Sequence, residues 1–176
     1  MITTFRYILL TSVRDRLMIG LIAALVGAAL IGAFLGDASF MEERQMALAY
    51  AGFSTRLVLI LGLILFVCFH VQRSYDNREI DLMLSRPISR TQFVLIYWAG
   101  FSGLALALSL VASIVLPIAG MPDRGGFAMW VLSLALEATL IVAIALFFSL
   151  TIRAAVGSAM ATLAFYLLAR MAGFLL

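Results

Sequence analysis

Apolar residues in this chain run in long blocks and are not alternated with polar ones at strand or helix spacing, so the blocks must face lipid or one another. Five of them approach or exceed the roughly 20 residues that a helix needs to cross about 30 Å of hydrocarbon. They are Leu17 to Leu35, Leu57 to Val71, Phe93 to Ala119, Phe127 to Leu150 and Ala154 to Leu176. The second is short unless it begins before Arg56, within MALAYAGFS, in which case Arg56 must snorkel or face protein. Ahead of the first block, residues 2 to 14 read as an amphipathic helix on the membrane surface. Its lipid side carries Ile2, Phe5, Ile8 and Leu9, with Ser12 or Val13. Arg14, Asp15 and Arg16 separate that helix from the first long run, which fits a cleavable signal peptide poorly. The pattern predicts an all-α integral membrane protein. It is a single transmembrane domain over residues 1–176, with an interfacial helix at 1–16 and five transmembrane helices, and no internal repeat or linker divides it.

Composition agrees. The 176 residues are 65% hydrophobic and 12% charged, with a mean hydropathy of +1.15, far from a soluble globular average of about half apolar and a quarter charged. All of the positive charge is arginine. The absence of lysine excludes a phosphate-binding P-loop and a Schiff-base enzyme, so no ATP site is expected within this chain. Cys68, the single cysteine, sits in an apolar run and forms no internal disulfide. No cluster has metal-ligand spacing and no nucleophile has a base beside it in sequence, so no catalytic, metal or cofactor-binding residue is expected, nor is a nucleic-acid partner.

Arginines of short loops favour the cytoplasmic side. Arg6, Arg14 and Arg16 precede the first span, Arg73, Arg78, Arg86 and Arg90 lie between the second and third, and Arg153 lies between the fourth and fifth. The loop at 36–54 and the turn GMPDRGG then fall outside, with the N-terminus cytoplasmic and the chain ending on the far side.

One polar island stands out: NREIDLMLSRPISRTQF, residues 77 to 93. Asp76 with Glu79 has the form of a capping box opening a short helix. That helix presents Ile80, Met83 and Leu84 on one side and Arg78, Asp81 and Ser85 on the other. Pro87 stops it by pushing Arg86 out of the helical region. Ser89 with Gln92 makes a second box that starts the third span. The result, over residues 74–91, is a rigid amphipathic rod, suited either to anionic headgroups or to a groove on a partner.

Glu79 followed by LMLSRPISR resembles the first cytoplasmic loop of type-2 ABC transporter permeases, the membrane subunits of many bacterial exporters. Leu82, Leu84, Pro87, Ile88, Ser89 and Arg90 fall on that pattern, and the RDR before the first span is similar too. The resemblance implies that Glu79, Asp81, Leu82, Leu84, Pro87, Ser89 and Arg90 belong to a coupling helix seated on a separate ABC ATPase subunit, which holds ATP and Mg. It also implies a second permease copy, identical or not, and a bacterial inner (cytoplasmic) membrane. Two departures are visible: Ile80 and Asp81 replace a usual Gly-Thr step, and the family has six spans where five are counted. A sixth would follow Leu176 in a longer chain.

Within the spans, Glu137 is the costliest charge and is expected to line a pathway or pair with another helix. Arg170 is its partner if the fifth helix extends well beyond it, and otherwise snorkels outward; His70 could sense protons or simply hydrogen-bond at the interface. Gly32 and Gly36 in GAFLG form a G-x-x-x-G step suited to helix packing. The reading favoured is an exporter permease without catalytic activity of its own, its substrate unspecified. Alternatives are a lipid-modifying enzyme, which needs polar residues gathered at one membrane depth where Glu137, Arg170 and His70 appear dispersed, and a non-transporting membrane anchor for an ATPase.

Overall fold

A computed structural model describes residues 16–37, 43–77, 90–115, 117, 124–152 and 154–175. They form five helices: α1 (Arg16–Asp37), α2 (Glu43–Asp76), α3 (Arg90–Val115), α4 (Arg124–Thr151) and α5 (Ala155–Leu175). Each covers most or all of one apolar block. Four of them, α2 to α5, have described stretches long and apolar enough to cross a membrane, which indicates a multi-pass membrane protein; in α1 the corresponding stretch is Ile19–Ala28.

Helix boundaries depart from the apolar blocks where backbone chemistry overrides hydropathy. α2 starts at Glu43, so residues 43–54, expected in an external loop, are helical and carry the span past Arg56. At its other end α2 runs through Asp76, and the amide of Asn77 still donates to the Arg73 carbonyl at 3.0 Å. Asp76 is therefore the last residue of α2, and the short helix that it was expected to open lies outside the described residues. The Asp76 Oδ1 accepts a hydrogen bond from Gln72 Nε2, one turn back, at 3.2 Å. Extending an existing helix adds one bond per residue fixed, whereas a new nucleus is costly. α3 stops at Val115, short of the expected Ala119, because Pro117 restricts the residue before it and lacks an amide proton. Its start at Arg90 is where a cap at Ser89 would place it.

α2 is the hub. It packs against all four other helices, and α4 packs against α2, α3 and α5. The shared core holds Leu59, Leu63, Phe66 and Val67 of α2, Phe101 and Leu108 of α3, and Leu134 and Val142 of α4. Small residues supply much of the rest: Ala105, Ala112, Ala138 and Ala145 are completely buried, as are Ser158 and Thr162 of α5. In lipid no hydrophobic force pulls helices together, and close approach over small side chains is what binds them. Ser109, Ser149 and Thr162 return their hydroxyl protons to carbonyls of their own helices, whereas the buried hydroxyls of Thr55 and Ser102 have no hydrogen-bond partner among the described residues. Ile114, Met129, Leu140 and Leu168 are more than half exposed, consistent with an outer surface that meets acyl chains.

Gly62 is where α1 meets α2: a methyl group there would collide with Cδ1 of Leu21. Gly62→Ala should therefore cost about 1–3 kcal/mol of stability in detergent, as overpacking does. Adding Leu21→Ala should recover a large part of that loss in the same unfolding titration; equal stability of the single variant and the native chain would show that the helices part freely here.

Candidate functional site: an arginine–glutamate–arginine cluster inside the helix bundle

Glu137 stands at the midpoint of α4, on the face turned to α2 and α5. Arg56 of α2 places Nη1 3.3 Å from its Oε2. Arg170 of α5 places Nη1 3.3 Å from Oε1, and Tyr166, one turn before it, donates its hydroxyl proton to the same oxygen at 3.0 Å. One carboxylate thus joins three helices.

The second branch of Arg56 is held as well. Nη2 donates to Ser133 Oγ, and that hydroxyl passes its own proton to the Trp130 carbonyl at 2.9 Å. The guanidinium carbon lies 5.9 Å from the centroid of the Trp130 ring, within cation–π range. Gly52, one turn before Arg56, makes room for that indole, whose Nε1 lies 3.4 Å from where a Cβ would be. Trp130, Ser133 and Glu137 follow one another at i, i+3 and i+7 on α4, and Tyr166 and Arg170 at i and i+4 on α5, so each set lines one helix face.

Electrostatically the cluster is unbalanced. With all three groups ionised, two guanidiniums face one carboxylate, a net charge of +1. A lone charge at the centre of a span costs about 2.5–3.5 kcal/mol on insertion scales, so both arginines need the carboxylate and it needs them. The exposure is graded: side chains of Arg56 and Glu137 are 18% and 21% exposed, that of Arg170 38%. The cluster is therefore open on the α5 side. Nε of Arg56 is buried with no hydrogen-bond partner among the described residues.

Of the residues expected to matter, Glu137 and Arg170 meet. α5 continues past Arg170 to Leu175, and of the two expected arrangements the arginine takes the paired one, with its Nη1 on the carboxylate. The apparent dispersion of polar groups is corrected in part, since Glu137 and Arg170 share one depth with Arg56 and Tyr166. His70 stands apart, about 21 Å along α2 from Arg56 at about 1.5 Å per residue, between the rings of Phe66 and Phe101 with centroids 5.5 Å away on each side. Glu79, Asp81, Leu82, Leu84, Pro87 and Ser89 lie outside the described residues, as does the surface helix before Arg16. Arg90 is the first residue of α3, and Gly32 and Gly36 lie in α1, but their side-chain surroundings are outside the described set. Among the described residues no group of His, Cys, Asp and Glu is placed to hold a metal.

Sequence reasoning missed Tyr166, Ser133 and Trp130, and it treated Arg56 only as a charge needing a home. The one signal was periodic: each missed residue lies one or two turns from a charged one.

Comparison with protein-family models, curated proteins and solved structures finds no match to this chain.

Deleting one member of a buried ion pair costs about 3–5 kcal/mol, whereas replacing the pair by apolar groups is far milder. Glu137→Ala should therefore destabilise the detergent-solubilised chain by about 3 kcal/mol, less whatever solvent screening reaches Arg170. The Arg56→Met, Glu137→Leu double variant should lose under half as much in the same denaturant titration. A double variant as unstable as the single would mean that packing volume, and not charge, sets the cost.

Proposed function

We propose that the chain is the membrane subunit of an ATP-driven transporter, an exporter of the type-2 ABC permease kind, in a bacterial cytoplasmic membrane with its N-terminus inside. On this reading it hydrolyses no ATP itself; a separate ATPase subunit carries ATP and Mg, and a second permease copy completes the transport unit. α1 is then a fifth span, and the segment before it lies on the membrane surface.

The observation that carries the reading is the amphipathic stretch from Glu79 to Arg90, joined directly to α2. α2 touches every other helix, so a displacement applied at its Asp76 end reaches the whole bundle. Its 34 residues make a rod of about 51 Å, some 20 Å longer than the hydrocarbon core, which leaves its end available outside the membrane. A connector of 13 residues between α2 and α3 is longer than a helical hairpin needs, which fits a docking element better than a simple turn.

A lipid-modifying enzyme is the second reading, favoured by the gathering of Glu137, Arg170, Tyr166 and Arg56 at one depth. Its difficulty is geometric: both carboxylate oxygens of Glu137 are already engaged by cations and a phenol, which leaves neither turned to a substrate.

Glu79→Arg and Leu84→Asp test the transporter reading. Each should release the ATPase from the purified complex, or leave it bound while stimulated ATP turnover falls by about tenfold or more, as for loss of a hot-spot contact. Retention of both pull-down and stimulated turnover in both variants would refute docking through this loop.

A further inference from the structure

Two features of the Arg56–Glu137–Arg170 cluster are left over once its internal bonds are counted. Its net charge is +1, and its most exposed member, Arg170, commits Nη1 to Glu137 while the side chain remains 38% open. Arg170 also has a definite place on its helix. It lies about 22 Å along α5 from Ala155 at about 1.5 Å per residue, five residues before the helix ends at Leu175. On the same helix Leu167, Leu168 and Met171 are 52%, 69% and 65% exposed, so the open side of the guanidinium adjoins a lipid-facing surface.

We infer that Arg170, with Arg56 behind it, forms a binding site for the phosphate of an anionic phospholipid. The inference goes beyond the transporter reading and does not depend on it. A guanidinium presents a planar fork of donors, and a phosphate is the oxyanion that this fork meets in two parallel bonds. A net-negative headgroup neutralises the surplus charge, which a zwitterionic one does not. Its acyl chains would lie along Leu167, Leu168 and Met171, and its phosphate would reach the guanidinium from the nearer interface. Glu137 then sets the strength of the site by competing for the same donors. The site is therefore weak by construction and opens further when the carboxylate is neutralised. Trp130, 5.9 Å from the Arg56 guanidinium carbon, reports on it from within.

The full chain carrying Trp98→Phe, which removes the exposed second indole of α3, is reconstituted in vesicles containing either brominated phosphatidylglycerol or brominated phosphatidylcholine at equal mole fraction. Quenching of Trp130 should show a preference for phosphatidylglycerol of about fivefold, the worth of one arginine near an anionic surface. Arg170→Gln should reduce the preference to about unity, and Arg170→Lys should keep part of it. Glu137→Gln should raise it, a change that a merely structural ion triad would not produce, and one still measurable if the Arg170→Gln chain fails to fold. Equal quenching by the two lipids, or a preference unchanged in both the Arg170→Gln and Glu137→Gln chains, overturns the site. Loss of the preference in millimolar inorganic phosphate would overturn the lipid as the source while leaving phosphate as the ligand chemistry; persistence in phosphate supports the lipid.

Discussion

A carboxylate cannot stand alone in hydrocarbon, and that constraint organises the bundle. Glu137 is compatible with the middle of α4 only because α2 and α5 bring Arg56 and Arg170 to within 3.3 Å of it. Apolar contacts in lipid are nearly indifferent to register, since a slide of one turn exchanges one leucine for another at little cost. The ion cluster is not indifferent. A slide of one turn in either partner helix moves a guanidinium by about 5.4 Å and leaves a charge unpaired.

A second polar contact checks the register. The buried thiol of Cys68 on α2 lies beside Ser158 and Thr162 of α5, whose hydroxyls donate within their own helix. From Arg56 to Cys68 the chain advances along α2 by the same number of residues as it retreats along α5 from Arg170 to Ser158. Both contacts therefore belong to one antiparallel alignment of α2 and α5, pinned near both ends. α4 joins α2 in the parallel sense, because Gly52 meets Trp130 while Arg56, further on, meets Ser133 and Glu137. Alternation of direction along the chain follows from the short connections, and the polar contacts convert it into a fixed alignment.

Much of this was legible in the sequence, for a physical reason. Apolar blocks of span length leave the backbone no way to satisfy its hydrogen bonds except as helix, so five blocks became five helices. What misled were places where hydropathy and backbone energetics diverge. The residues from Glu43 to Ala49 extend α2 because propagating an existing helix adds one hydrogen bond per residue fixed, and that helix runs on through Asp76, where the sequence has the form of a cap for the next one. At the site, Glu137 and Arg170 were visible because charge in a span is rare. Tyr166, Ser133 and Trp130 were not, since an aromatic or a hydroxyl in a span is ordinary until a charge lies one turn away. Arg56 marks the border: its charge was conspicuous, but hydropathy alone could not say whether it would rise to the interface or turn inward.

The position of the cluster bears on how the bundle could move. It lies about 30 Å along α2 from Asp76, at the opposite end from the arginine-rich connector. On the transporter reading, a force applied through that connector acts on the end of α2 where the contacts with α5 are small side chains and a thiol, while the far end is held by the Arg56–Glu137 ion pair, whose carboxylate also meets Arg170. α2 should therefore tilt about Arg56 and not slide along its axis, since tilting loosens weak contacts but sliding would break charge pairs. On α2 the displacement then grows from Arg56 past His70 to its largest value at Asp76, and it is smallest beside Glu137. On the transporter reading Glu137 is thus the hinge of the moving bundle, and the wall of any pathway is sought among the apolar residues that separate it from the connector.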